Sequence, residues 1–190
     1  QDLSGVYWYL VGFAYQTHPQ RPSPVKEISM NYTRDILSKF HNWTGRWVLI
    51  GNGQLYVDAT GLLGCYYGKI ILENERKEEL WISSSPAIIS KVIGEKTNIE
   101  VSKAVAHQKG MDWYPPPSTK YSSIFKLLPG QILHLNGESL ISFRPLLPTL
   151  DQLTYEQNLG FLIERLVNGM KNISKRGKSI WLPLTSGNDS

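Results

Sequence analysis

Gly45-Arg46-Trp47-Val48-Leu49-Ile50-Gly51-Asn52-Gly53-Gln54-Leu55-Tyr56-Val57-Asp58-Ala59-Thr60-Gly61 is the stretch that decides the fold class. Two β-branched and aromatic runs flank Gly51-Asn52-Gly53, a strong signal for a hairpin of antiparallel strands. Asp58-Ala59-Thr60-Gly61 then reads as a second turn, with the Asp58 side chain capping it. Working outward, Val6 to Ala14 is aromatic and β-branched and reads as another strand. Gly64 to Leu72 and Leu80 to Ser84 predict a further antiparallel pair around the charged loop Glu73 to Glu79. Gln131 to Leu135 and Leu140 to Phe143 predict one more hairpin, turning at Asn136-Gly137.

Helices punctuate these strands. Ile28, Tyr32, Ile36 and Phe40 recur every fourth residue, which predicts one helix over Glu27–Lys39. Ser85-Pro86 suits an N-cap followed by proline in the first helical turn, opening a helix to about Ile93. A helix is also expected over Asn98–Gln108, and the proline-rich piece Met111 to Tyr121 reads as irregular. Thr154-Tyr155-Glu156-Gln157 reads as a capping box. Behind it Tyr155, Leu159, Leu162, Leu166, Met170 and Ile173 form an apolar stripe expected to face a core. The chain closes on a run, Ile180 to Leu184, expected as a buried strand, and then on the small polar residues Thr185-Ser186-Gly187-Asn188-Asp189-Ser190. A helix, a hydrophobic strand and a glycine-containing turn begin an α/β unit, and successive N–H groups in such a turn can cradle phosphate.

The bulk numbers agree with a globular protein. Hydrophobic residues make up 41% and charged residues 19% of 190, and the net charge is +4. A sequence pI of about 9.1 and the many aromatics prompt a further reading, a nucleic-acid-binding β-protein, but Trp8, Tyr9, Trp47, Tyr66, Tyr67 and Trp81 all fall in expected strands, where core packing accounts for them. The cluster Lys175-Arg176-Lys178 reads as the solvated end of a helix. One cysteine, Cys65, excludes an intramolecular disulfide and reads as a small buried hydrophobe. The histidines have no metal-ligand spacing, and His134 is expected to point outward into solvent. No apolar run is long enough to span a membrane. A cytoplasmic location is the default expectation. The chain lacks an initial Met and stops inside its most suggestive motif, as a fragment would.

Several of these pieces, in order, resemble the asparagine synthase family and its relatives such as β-lactam synthetase. Gly45 to Ile50 resembles the family's Gly-x-Phe-Ala-Phe strand. Asp58-Ala59-Thr60-Gly61 with Cys65-Tyr66-Tyr67 resembles its Asp-Pro-x-Gly…Leu-Tyr-Tyr block. Ile82 to Pro86 resembles the serine-rich strand end that follows. Leu127-Leu128-Pro129-Gly130-Gln131-Ile132-Leu133-His134-Leu135 resembles the Pro-Pro-Gly-His-x-Leu-x-Leu hairpin. Pro183 to Ser190 falls where the pyrophosphate loop Pro-Leu-Ser-Gly-Gly-x-Asp-Ser stands, with Thr185 for Ser and Ser186 for the first Gly.

The resemblance implies an α+β fold: an αββα sandwich of mostly antiparallel sheets, of the Ntn-hydrolase type, over 1–147. The first helix and strand of an α/β ATP-pyrophosphatase domain would follow over 148–190. It implies ATP-dependent amide formation, with a carboxylate activated as an acyl-adenylate and then attacked by ammonia or an amine. Thr185, Ser186, Gly187 and Ser190 would hold ATP and its pyrophosphate, and Asp189 would hold Mg2+. The partners implied are a small carboxylic acid and an amine or ammonia, with no nucleic acid and no membrane. The N-terminal domain would serve as a scaffold or as the interface of a homodimer.

The glutaminase half departs from the family. Its nucleophile is a cysteine at the first position, whose own α-amine acts as base. Ser4-Gly5-Val6 is the nearest counterpart here, preceded by Gln1, Asp2 and Leu3. The Asn-Gly-Glu oxyanion motif is absent between Gly5 and Gly45. No glutamine hydrolysis is therefore expected, and no catalytic residue is assigned in this domain. The altered pyrophosphate loop leaves a second reading open, a non-catalytic family member acting as a binding or scaffold subunit.

Overall fold

Asn52 and Gly53 both take positive φ, 52° and 68°, the geometry of a two-residue turn whose twist matches that of its strands. The turn joins β2 (Trp43–Gly51) to β3 (Gln54–Val57). A computed structural model describes residues 1–72, 77–108, 113–136, 140–144 and 153–175. β1 (Trp8–Gln16) runs antiparallel to the whole of β2, from Trp8 opposite Gly51 to Gln16 opposite Trp43. On the other side β3 pairs with β7 (Gln131–His134), which pairs with β8 (Ile141–Phe143). The result is a five-stranded sheet of order β1-β2-β3-β7-β8. A three-stranded sheet of order β5-β4-β6 comprises β4 (Tyr66–Leu72), β5 (Lys77–Ser83) and β6 (Ile124–Lys126). Every one of these pairings is antiparallel.

Alternation along the strands builds the layers. Trp43, Trp47, Leu49 and Tyr56 project from one face of the larger sheet and pack with Ile28, Ile36 and Phe40. Those three come from α1 (Pro24–Ser29), α2 (Thr33–Lys39) and a 3-10 turn at Phe40–Asn42. Val48, Leu55, Val57 and Leu133 project from the opposite face and meet Cys65, Tyr67 and Leu127 on the smaller-sheet side. The outer face of the smaller sheet is covered by α3 (Pro86–Ile93), with Ile89 against Tyr121 and Ile124. α4 (Ile99–His107) follows, capped by the Asn98 side chain on the N–H groups of Glu100 and Val101. Helices, sheet, sheet and helices thus stack in that order, an α+β architecture with mostly antiparallel sheets.

The single helix expected over Glu27–Lys39 is two. Helical hydrogen bonding stops at Met30–Tyr32 because the start of the chain competes for the same groups. The Asn31 carbonyl accepts the Leu3 N–H at 2.9 Å, and the Thr33 hydroxyl bonds the Asp2 carboxylate. Ile28, Ile36 and Phe40 stay buried, but Tyr32, at the break, turns outward and is 51% exposed. Ser85 stands at the N-cap of α3 without a side-chain hydrogen bond there. The Asp58 turn is as expected: the carboxylate accepts the N–H groups of Thr60 at 2.8 Å and Gly61 at 3.0 Å.

α5 (Tyr155–Ser174) opens with the expected capping box between Thr154 and Gln157. Its apolar stripe, however, is not core: Leu159, Leu162, Leu166 and Met170 are all exposed. The helix docks through another edge, Arg165, Gly169 and Asn172, onto the ends of β1 and β2. Ile180–Leu184, the expected neighbouring strand, lies outside the described residues. Tyr9 and Trp81 also correct an expectation, being 63% and 39% exposed rather than packed. Tyr9 lies on β1, at an edge of the larger sheet.

Candidate functional site

The expected ATP and pyrophosphate residues Thr185, Ser186, Gly187 and Ser190, and the expected Mg2+ ligand Asp189, all lie outside the described residues. The expected domain boundary after residue 147 lies outside them too. The structure does describe the start of the chain, where Ser4 is the expected counterpart of a glutaminase nucleophile.

Asp2 organises that start. The residue is 6% exposed. It accepts the N–H groups of Ser4 at 2.8 Å and Val6 at 3.0 Å, the indole N–H of Trp8 at 2.9 Å, and the Thr33 hydroxyl. Burial opposes its ionisation, but these bonds from Thr33, Trp8, Val6 and Ser4 outweigh burial and hold the carboxyl below its usual range. The Ser4 hydroxyl accepts the Thr33 N–H at 3.3 Å. Beside it opens a shallow pocket of about 450 Å3 lined by Ser4, Tyr32, Thr33, Arg34, Leu37 and Asn52. Asn52 is the hairpin-turn residue, so the turn that starts β3 also walls the pocket.

This arrangement suits a folded terminus better than a nucleophile. A serine hydroxyl needs a base within hydrogen-bond reach. The neighbouring carboxylate, Asp2, is saturated by donors and stabilised in its ionised form, so it is a poor proton acceptor. An α-amine on Ser4 is excluded by the three residues that precede it.

A second constellation was not legible in the sequence. His134 does not project freely into solvent but is half-buried between two strands. Its Nε2 lies 2.7 Å from the Ser142 hydroxyl, and its Nδ1 lies 3.4 Å from Gln54 Nε2. Gln54 Oε1 in turn accepts the Tyr56 hydroxyl. Burial pushes the Tyr56 phenol up to about 12, against the opposing pull of the Arg144 guanidinium, so Tyr56 stays protonated. Both ring nitrogens of His134 are thus engaged, one by Gln54 and one by Ser142, and the chain Tyr56–Gln54–His134–Ser142 is a cross-strand staple. The only hint in the sequence was the polar pair Gln54 and His134, one on each of two expected strands.

Cys65 is buried, and burial pushes its thiol up to about 11, which leaves it protonated and unreactive near neutral pH. Among the described residues no cluster of His, Cys, Asp or Glu could hold a metal ion, and no helix is long and apolar enough to cross a membrane. No family model, no curated protein and no solved structure matches this chain.

Proposed function

We propose that this chain belongs to an asparagine-synthase-like enzyme that forms amide bonds at the expense of ATP, and that its N-terminal domain is of the Ntn-hydrolase type but has no glutaminase activity. The observation that carries the proposal is Pro183-Leu184-Thr185-Ser186-Gly187-Asn188-Asp189-Ser190, read behind four motifs in family order. Two stacked antiparallel sheets between helical layers are compatible with it. The saturated Asp2 carboxylate and the hydrogen-bonded Ser4 hydroxyl support the loss of glutamine chemistry.

In this reading a small carboxylic acid is adenylated, pyrophosphate leaves, and ammonia or an amine attacks the acyl-adenylate. N–H groups near Ser186 and Gly187 and the hydroxyls of Thr185 and Ser190 hold phosphate oxygens. Asp189 would hold Mg2+, whose chemistry is to neutralise the phosphate charge as it builds on the leaving group. The sheet domain is a scaffold or a dimerisation module.

ATP–pyrophosphate exchange by the intact protein, screened across carboxylic acids, tests the ligase. Exchange with one class of acid supports it; no exchange together with no ATP binding overturns it. The replacements at Thr185 and Ser186 favour a second reading, a binding subunit without catalysis. Calorimetry with Mg·ATP separates the two when exchange is absent, because a binding subunit that retains the loop still gives heat. Ammonia release from glutamine by the intact protein would sink the non-glutaminase assignment.

A further inference from the structure

A cleft of about 210 Å3 separates the segment after β1 from the last turn of α5, with Gln16, Arg21 and Ser23 on one wall and Asn172 and Lys175 on the other. We infer that this cleft is an oxyanion site, sized for one phosphate group and formed only when α5 is docked.

Two cations meet there from opposite ends of the chain. Lys175 has no hydrogen bond or ion pair from its side chain among the described residues. The Arg21 charge is only partly answered: its Nη1 lies 3.6 Å from Glu27 Oε1 and makes no hydrogen bond among the described residues. Glu27 is already committed to Trp43 Nε1 at 2.6 Å and Gln16 Nε2 at 3.0 Å. Tyr15, Pro24 and neutral polar groups complete the lining. Among the described residues the Ser23 side chain makes no capping hydrogen bond to α1, and Asn172 donates to the Gln16 carbonyl with no further side-chain hydrogen bond.

The Arg21 charge also reaches His41: burial first, then the charges of Arg165 and Arg21, hold its pKa below the usual histidine value against the opposing pull of Glu27. The carbonyl end of α5 works against an anion, and Lys175, at the C-cap, offsets it. Two cations on separate elements with a hydroxyl and an amide between them match the tetrahedral oxygens of phosphate. The lining shares no residue with the expected pyrophosphate loop, and the inference does not rest on the ligase reading.

The test is calorimetric titration of the intact protein with inorganic phosphate and, separately, AMP. Mg2+ is removed with a chelator so that a metal-dependent loop stays silent. Phosphate is expected to bind, and Lys175→Gln to weaken it about tenfold, the loss of one charge-assisted contact. Ser23→Ala should weaken it less, and thermal unfolding should show both variants folded. Asn172 side-chain amide signals in nitrogen-15 spectra should move on titration. AMP binding tighter than phosphate would assign the anion to a nucleotide; equal or weaker binding would assign free phosphate. No binding of either, or binding unchanged in Lys175→Gln, overturns the site. Binding that Gly187→Val abolishes and Lys175→Gln spares puts the anion in the loop instead, and also overturns it.

Discussion

Asn172 Nδ2 donates to the Gln16 carbonyl at 2.6 Å, tying the end of α5 to the last residue of β1. Arg165 Nη2 reaches Asn42 Oδ1 at 3.2 Å on the same edge of the helix, and Gly169 lies between them. Residues spaced four and then three apart share one helical face. That face is polar, so the helix is held by hydrogen bonds and close backbone approach while its apolar stripe stays open.

Gly169 sets that approach. A Cβ there would sit 3.3 Å from Thr44 Cγ2 and 3.9 Å from Thr17 Cγ2, so a leucine cannot be accommodated. Gly169→Leu should release α5 while the two sheets persist. Amide hydrogen exchange should speed up over 155–174 and stay unchanged over β2 and β3. Unchanged protection in α5 would show that it docks elsewhere.

Asp2 makes stability depend on acid. Its carboxyl pKa is lowered in the folded state, so its contribution is complete above the unfolded value of about 3.9 and fades as pH falls through the lower folded value. Asp2→Asn should be less stable than the wild type at pH 7, by about 2 kcal/mol, the order of a lost charged hydrogen-bond set. The difference should shrink toward pH 2. Urea midpoints at several pH values read this directly, and a gap that widens in acid would be the wrong sign.

Glu27 is 2% exposed and bridges three elements through Trp43, Gln16 and Arg21. Glu27→Ala leaves the Trp43 N–H and the Arg21 charge without their acceptor and should cost about 3 kcal/mol. Glu27→Gln keeps an oxygen for Trp43 and should cost clearly less. Equal losses in denaturant titrations would mean that charge, not the indole bond, dominates.

Gly45 has φ +119°, and a Cβ there would lie 2.0 Å from the Phe13 carbonyl oxygen. The obstacle is backbone, so no rotamer relieves it. Gly45→Ala should cost about 3 kcal/mol or more. Gly5→Ala, at φ +81° with nothing within 4 Å, carries only the left-handed backbone penalty of roughly 1–2 kcal/mol. Thermal melts of the two variants should fall in that order.

What the amino-acid sequence determined by itself was local. Asn52-Gly53 dictates its turn because few other residue pairs tolerate two positive φ values. Thr154 and Gln157 cap α5, Asn98 caps α4, and alternation in β2 and β3 assigns Trp47 and Val48 to opposite faces, all within a few residues of chain. Tertiary structure decided what depends on distant partners. The Asp2 segment breaks the helix expected over Glu27–Lys39, because residues some thirty positions apart compete for the same backbone groups. His134 becomes a staple because β7 is placed between β3 and β8. The exposed stripe of α5 has the same origin: periodicity shows that a helix has an apolar face, but which face it docks depends on what the folded chain offers. Here the end of β1 and the 3-10 turn before β2 offer hydrogen-bond acceptors, the Gln16 carbonyl and the Asn42 amide oxygen, and the helix meets them with its polar edge.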